Sequence, residues 1–281
     1  MKYLLIALLW PLAARADEPT TTTSTSTSTS TGVQPEKVRR LYVRAGVVRV
    51  EPLEQSNEME LSDVDGAASL AVQNGPIAGS GATISSATIP GMIIGYVLPY
   101  YHNKISVETI VGIPFTVTFK ATGTLANESL APTALGLPTG VQPLGPDLGE
   151  AKAAPLVLTG IYRLGTYSGI TPFAGAGLAV LLAFDAHVTN KMLTDVSEPK
   201  MIVDPAPGLV LQAGIDAKIY KRIYARLDVK FIALMLARAR VEHVQVRTPE
   251  LPLFDTVEVG TAKMSMWVNP LIIQAGIGAD F

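Results

Sequence analysis

Charged and amide side chains recur two or four residues apart in two neighbouring stretches of the sequence. This spacing places them on one face of an extended strand. They are Gln212, Asp216 and Lys218 within residues 208 to 219, and Arg226, Asp228 and Lys230 within residues 223 to 240. Opposite charges on one face suit two roles. They can neutralise one another in a closed interior, where an unpaired charge would be costly, or they can form a polar plug whose rearrangement gates passage.

Residues that could support catalysis or bind a metal are few. The three histidines, His102, His187 and His243, have no metal-ligand spacing, and the chain contains no cysteine. A hydrolytic site would need a serine or an acid beside a histidine. His187 and His243 could share one rim with Ser197 or Asp185, but no motif supports that arrangement. The sequence therefore predicts no enzyme, no cofactor and no metal site.

The composition favours a membrane protein that crosses with strands. Hydrophobic residues make up 48% of the chain and charged residues only 16%, although charged residues are nearer a quarter in soluble proteins. The longest apolar stretch, residues 173 to 184, is interrupted by glycine and is too short for a spanning helix. Strands in lipid must close into a barrel so that no backbone group is left unpaired. The net charge of -2 gives no reason to expect a nucleic-acid partner.

The first 39 residues are of a different kind. Residues 1 to 16 carry an early lysine, an apolar run and Ala14-Arg15-Ala16 before Asp17, which is typical of a cleaved secretory signal. An uncleaved anchor is the alternative. Residues 17 to 39 contain a Thr/Ser repeat that predicts a disordered tether. A spacer towards the cell wall or a modified stalk is the other interpretation of this segment.

Residues 40 to 281 contain eight alternating segments. These are residues 40–50, 89–98, 104–119, 153–164, 171–184, 208–219, 223–240 and 263–281. Their connections run 38, 5, 33, 6, 23, 3 and 22 residues, a strict alternation of long and short. Outer-membrane barrels have this asymmetry, with tight periplasmic turns and longer outer loops. An even number of strands would leave both termini in the periplasm.

The segments predict an all-β fold, an eight-stranded antiparallel transmembrane barrel. A soluble sandwich or lipocalin-like barrel would turn its apolar face inward and present a charged exterior. Here one face of segments six and seven is almost wholly aliphatic, while the other holds glycine and paired charges. This pattern fits lipid outside and a packed lumen inside. A barrel of eight strands has an interior that side chains nearly fill, so a wide aqueous pore is excluded.

The same alternation divides the predicted lumen into two sectors. The polar network comprises Arg44, Glu108, Gln212, Asp216, Lys218, Arg226, Asp228, Lys230 and Gln274. The hydrophobic lining comprises Ile110, Leu156, Leu158, Phe173, Leu181 and Ile272. Apolar lumen side chains would suit a hydrophobic ligand and repel ions by dewetting. The alternative for this lining is an error of one residue in the assigned register, which would move every side chain to the opposite face.

Five stretches, taken in order, resemble the outer membrane protein W (OmpW) family of Gram-negative bacteria. They are YVRAGVVRVEP (42–52), ISVETIVGIPF (105–115), TPFAGAGL (171–178), LQAGIDAKI (211–219) and NPLIIQAGIGADF (269–281). The tether is not part of the family pattern. The long connections 51–88 and 120–152 also depart from it, which leaves loop function and ligand preference open.

The resemblance implies an outer-membrane channel for passive uptake of small, mostly hydrophobic molecules. The alternative is a non-conducting structural or surface-interaction barrel whose long loops bind partners. The expected partners are outer-membrane lipid, small hydrophobic solutes and the barrel-insertion machinery. In outer-membrane barrels that machinery reads a C-terminal strand ending in phenylalanine, a role the resemblance gives to Phe281. The sequence does not identify the solute or the oligomeric state. It also does not decide whether the solute crosses the whole barrel or leaves sideways through the wall into the membrane.

Overall fold

The computed structural model describes residues 39–251 and 253–281. The predicted signal, and the tether except for Arg39, lie outside the described residues. The strands in chain order are β1 (Leu41–Glu51), β2 (Gln55–Ser56), β3 (Glu60–Ser62), β4 (Gly75–Pro76), β5 (Ser80–Ile84), β6 (Ala87–Val97), β7 (Ile105–Gly112), β8 (Phe115–Gly123), β9 (Thr133–Ala134), β10 (Leu137–Pro138), β11 (Asp147–Arg163), β12 (Ile170–Val188), β13 (Lys200–Val203), β14 (Ala206–Tyr220), β15 (Ile223–Ala233), β16 (Leu236–Arg247), β17 (Thr256–Trp267) and β18 (Leu271–Asp280). The short helices are α1 (Thr124–Asn127) and α2 (Lys191–Thr194), with 3-10 turns at Gly66–Leu70 and Tyr101–Asn103. None of the helices in the described residues is long and apolar enough to cross a membrane.

Eight of these strands close into an antiparallel barrel, which confirms the predicted fold class. The order around the wall is β1, β6, β7, β11, β12, β14, β15 and β18, and β18 pairs with β1 to complete the circle. The closing register runs from Tyr42 opposite Asp280 to Glu51 opposite Leu271. The backbone of Phe281 also donates a hydrogen bond to the Leu41 carbonyl at 2.7 Å. The final strand therefore forms the seam of the barrel.

Long and short connections alternate around this wall. Residues 98–104, 164–169 and 221–222 form tight turns at one end, which we call the turn end. The opposite end, the loop end, carries the long connections, and these contain most of the remaining strands. Strands β13, β16, β17, β3 and β4 form a second sheet, with β2 paired to β17. Strands β8 and β5 extend the barrel sheet beside β11.

Alternation of side chains along the strands separates an apolar exterior from a packed interior. Leu211, Leu227 and Ile277 point outward and are half exposed, whereas Val210, Asp228 and Gln274 on the same strands are buried. The main apolar core continues beyond the barrel and fills the space enclosed by the second sheet at the loop end. The barrel interior and the loop-end core thus form one continuous interior.

Three of the eight predicted segments are not single strands, so these predictions were wrong. Residues 104–119 divide into β7 and β8, residues 223–240 into β15 and β16, and residues 263–281 into β17 and β18. The breaks fall at Pro114, Leu234 and Asn269-Pro270. Proline cannot donate to the hydrogen-bond ladder, and Leu234 and Asn269 have positive φ angles of 59° and 36°. At each break one strand leaves the wall or joins it, so the barrel continues into the loop-end sheets.

Candidate functional site

Arg226 of β15 lies at the centre of a buried polar cluster inside the barrel. Its guanidinium contacts Glu108 of β7 at 2.6 and 2.9 Å and Asp228 at 2.9 Å. The same guanidinium stacks 4.2 Å above the ring of Phe173. Lys230 completes this part of the cluster with an ion pair to Asp228 at 2.5 Å. Strand periodicity causes this arrangement, because residues 226, 228 and 230 alternate with outward aliphatic positions.

Arg44 extends the polar cluster towards the turn end. Its guanidinium pairs with Asp280 at 2.7 Å and lies 3.6 Å from Asp216. The three buried cations, Arg44, Arg226 and Lys230, thus match the three buried anions, Glu108, Asp216 and Asp228. Buried charges are tolerated when they are paired and hydrogen-bonded. We call this balanced set the polar plug, and it crosses the barrel interior, because Glu108 and Arg226 meet from strands β7 and β15 on opposite sides of the wall.

Tyr42 and Ser106 also belong to the polar plug, and Arg163 contacts it from the turn end. None of the three was predicted from the sequence. The Tyr42 hydroxyl donates to Glu108 at 2.5 Å, and the Arg163 guanidinium donates to Ser106 at 2.7 Å and lies over the Tyr42 ring. Tyr42 and Ser106 have the strand parity of Arg44 and Glu108, respectively. That parity was the available signal for these two residues. Arg163 is the last residue of β11, and its position in the sequence did not indicate a contact with the polar plug.

The structure buries every predicted member of the polar network except Lys218. Gln212 donates to Glu108 at 3.1 Å, and Gln274 is buried opposite Asp228. Lys218 was assigned wrongly. It has the parity of Asp216, but it lies two residues from the end of β14 and is exposed, because the barrel interior opens at the turn end.

An apolar region adjoins the polar plug on its loop-end side. Two cavities there have volumes of about 70 and 60 Å³ and share Phe119, Ala239 and Met264 in their linings. The smaller cavity shares Leu130, Leu144 and other side chains with a third cavity of about 560 Å³ among the loops. Their linings are almost wholly apolar. Together they form a series, which we call the apolar cavities, from the loop end to the polar plug.

Only part of the predicted hydrophobic lining faces these cavities. Leu181 and Ile272 line the 70 Å³ cavity, and Ile272 is directly opposite Lys230, so the cavity ends at the plug. Phe173 is buried but contacts Arg226 within the polar plug. Ile110 is half-buried and packs with Tyr42, Ile93 and Val97.

The assignments of Leu156 and Leu158 to the lumen were wrong. These side chains are 53% and 57% exposed on the outer face of the barrel, while Val157 and Thr159 are buried inside. The reason is register. Val157 is paired with Ala179, which faces the interior of β12, and residues directly opposite share a face. The β11 assignment was therefore displaced by one residue.

The wall is interrupted where β7 gives way to β8. Strand β7 pairs with residues 158–162 of β11, and β8 pairs with residues 147–153. Residues 154–157 of β11 have no registered partner on this side, and Pro155 has no amide hydrogen to offer. Pro155 and Phe115 line the 70 Å³ cavity. The break in hydrogen bonding, which we call the wall gap, therefore lies beside an apolar cavity.

The described residues give no positive sign of catalysis. His243 lies 3.3 Å from Glu258 on an exposed surface, and the His187 ring contacts the Asp185 carbonyl. No hydrogen bond joins either histidine to Ser197 in the part of the chain that the structure describes. Within the same residues no group of three or more His, Cys, Asp or Glu side chains could hold a metal.

Comparison with solved structures places this architecture among outer-membrane barrels. The crystal structure of OprG from Pseudomonas aeruginosa superposes with a TM-score of 0.63 at 20% identity, covering 87% of this chain and 97% of that one. The solid-state NMR structure of AlkL gives 0.47 at 16% identity, with coverages of 92% and 97%. The E. coli outer membrane protein W gives 0.44 at 16% identity, with coverages of 88% and 100%.

Sequence comparison is more specific than these structural similarities. A search of curated protein sequences gave no significant match. The sequence profile of the OmpW family, in contrast, matches residues 39–281 and so covers every strand of the barrel and of the loop-end sheets. By that match, this chain belongs to the OmpW family.

Proposed function

We propose that this protein is an outer-membrane channel for passive uptake of small, mostly hydrophobic molecules. The observation that carries this proposal is the series of apolar cavities from the loop end to the polar plug. An apolar lining is poorly wetted, so it admits apolar solutes and opposes ions. The OmpW family match and the fold shared with OprG support an outer-membrane location.

The polar plug argues against a straight path through the barrel. A hydrophobic solute beside Ile272 would next meet the Lys230–Asp228 pair, and advancing would separate buried charges from their partners. The wall gap offers a different exit. Its backbone groups are not joined across the strands, and Pro155 and Phe115 already line the cavity. We therefore infer that the solute leaves sideways into the membrane.

The orientation of the barrel is part of the proposal. Tight turns on the periplasmic side and long loops outside are typical of outer-membrane barrels, which puts the turn end and both termini in the periplasm. The tether would then lie in the periplasm as well. We also assign Phe281 to recognition by the barrel-insertion machinery, since it ends the strand that closes the barrel.

Met264 provides the test of the transport route. Its buried side chain lines both smaller cavities and lies on β17, in the second sheet. Met264→Gln keeps a similar length but introduces an amide. The introduced amide should hold water in the cavity, and an apolar solute that displaces this water leaves the amide unsatisfied at a cost of about 1–3 kcal/mol. Uptake of a hydrophobic solute into proteoliposomes should therefore fall roughly tenfold. Met264→Leu is the matched control, with uptake close to that of the wild type. Equal uptake by the Gln variant and the wild type would remove the support for this route.

A non-conducting surface-interaction protein is the second candidate. One observation favours it: Leu135, Leu137 and Leu253 are 78%, 60% and 90% exposed at the loop end, where they line the 560 Å³ cavity. Exposed apolar side chains in a group can mark a binding surface for another protein. Deletion of the protein separates the candidates. A strain with unchanged uptake but lost surface binding would favour the second.

A further inference from the structure

Charged side chains are unevenly distributed between the two ends of the barrel. Basic side chains gather at the turn end, in the tight turns and the adjoining strand ends. They are Arg39, Arg40, Lys104, Arg163, Lys218, Lys221 and Arg222. In the described part of the turn end, Asp280 is the only acidic side chain outside the buried polar plug, and Arg44 already holds it at 2.7 Å. At the loop end, acidic side chains outnumber basic ones.

Within residues 39–251 and 253–281, the turn-end cations have no acidic partner. None of Lys104, Lys218, Lys221 and Arg222 forms an ion pair with another residue of the described chain, and the last three are exposed. Like charges gathered on one surface repel each other and create a positive potential. A surface of this kind attracts an anionic partner from outside the chain.

Exposed tyrosines lie at the same end as these cations. Tyr100, Tyr101 and Tyr167 are 64%, 72% and 69% exposed in the tight turns. Tyrosine at the ends of membrane strands is typical of the headgroup region, where the ring is apolar and the hydroxyl is hydrated. The tyrosines therefore place the turn end at the level of a lipid headgroup layer.

Two contacts join the cations to this aromatic layer. The Lys104 ammonium lies 5.9 Å from the ring centre of Tyr162, and the Lys221 ammonium lies 5.0 Å from that of Tyr220. Tyr162 is 44% exposed and shares the outer face of β11 with Leu158. The Lys104 charge is thus held on the outer, lipid-facing side of the barrel and not over its lumen.

We propose that the turn end binds the phosphodiester headgroups of anionic phospholipids in the adjacent leaflet. Lys104, Lys221 and Arg222 supply the cations, and the neighbouring tyrosines contact the glycerol and upper acyl region. A soluble anion would account for the charge but not for the exposed tyrosine rings. A basic residue near an anionic lipid surface improves association by roughly fivefold. The proposal depends neither on solute transport nor on which leaflet faces the turn end.

Lipid retention by the full barrel tests the proposal. The protein is placed in nanodiscs of equal phosphatidylglycerol and phosphatidylcholine, and the lipids retained after mild delipidation are identified by native mass spectrometry. The wild type should retain phosphatidylglycerol over phosphatidylcholine by about fivefold or more. The triple variant Lys104→Gln, Lys221→Gln, Arg222→Gln should fall below about twofold. Raising the salt concentration should weaken the preference, because the sites are exposed.

Two further variants make the result specific. Lys191→Gln, Lys200→Gln and Arg247→Gln together remove the same charge from exposed loop-end positions and should keep the preference. Lys104→Arg, Lys221→Arg and Arg222→Lys together keep the charge and should also retain it. Heat-modifiable migration checks that each variant is folded. The proposal is overturned if the wild type shows no preference, or if the turn-end and loop-end Gln variants lose it equally.

Discussion

Replacing Arg226 should destabilise the barrel more than breaking any exposed ion pair would. Arg226→Met leaves Glu108 with Tyr42 and Gln212 as hydrogen-bond donors, and leaves Asp228 with Lys230. The loss of one charge from a balanced buried set costs about 3–5 kcal/mol. Glu108→Gln should cost a similar amount, because it deprives the buried guanidinium of its closest carboxylate.

The double variant Arg226→Met, Glu108→Gln tests whether these costs arise from charge imbalance. It removes one cation and one anion together, so its cost should be smaller than the sum of the single costs by about 2–3 kcal/mol. The measurement is denaturant unfolding of the barrel in lipid, followed by the fluorescence of Trp267 and by heat-modifiable migration. Arg240→Met is the control, since the Arg240 side chain is 40% exposed where it pairs with Glu242 and Asp204, and its loss should change stability by about 1 kcal/mol or less. Additive single costs, or single costs as small as the control, would refute a charge-balanced plug.

Three further predictions address the wall, the lumen and the seam. Gly95→Ala should destabilise the barrel by about 1–3 kcal/mol, measured by denaturant unfolding, because an added Cβ would overlap the buried ring of Tyr42. Gly112→Ala is the matched control, because a Cβ added there meets no atom within 4 Å, and it should not destabilise the barrel. Leu158→Arg should lower the free energy of unfolding in lipid by about 2–4 kcal/mol, because this side chain faces outward. An unchanged free energy of unfolding would instead indicate that Leu158 faces the lumen. Deletion of Phe281 should lower the yield of assembled barrel, measured by heat-modifiable migration after expression, while uptake per assembled barrel stays near the wild-type value.

Much of the barrel was predictable because a membrane strand imposes strong constraints on sequence. Each strand must alternate between lipid and lumen, and the connections must alternate between tight turns and loops. The polar residues Arg226, Asp228 and Lys230 were predictable for the same reason, since a charge on a lipid-facing position would be expensive. In strands with several polar residues on one face, that face was correctly assigned to the barrel interior.

The failures occurred where this signal was missing. Residues 154–161 of β11 are apolar on both faces apart from Thr159, so the pattern could not decide which set faced inward. The orientation of β11 is instead determined by its partner strand β12, in which Ala179 faces the interior and pairs with Val157. The loop-end sheets were missed for a related reason. Strands β16 and β17 continue from barrel strands, and only the local breaks at Leu234 and Asn269-Pro270 show where the barrel wall ends.

The position of the wall gap follows from the same change between barrel and loop-end sheets. Strand β11 is longer than β7, so its loop-end half needs a second partner, and β8 supplies it after the break at Pro114. The two partners meet β11 in registers that differ by one residue, with Leu158 opposite Thr109 and Ala153 opposite Phe115. A one-residue shift alone can be absorbed by a β-bulge, as it is between β11 and β12 at Glu150 and Lys152. Here Pro114 and Pro155 each remove an amide donor at the same place, so the pairing is interrupted. The polar plug lies on the turn-end side of this change, and the gap lies beside the 70 Å³ apolar cavity, which Pro155 and Phe115 line. The replacement of one partner strand by two therefore interrupts the wall beside an apolar cavity, which is where the proposed route would release a hydrophobic solute.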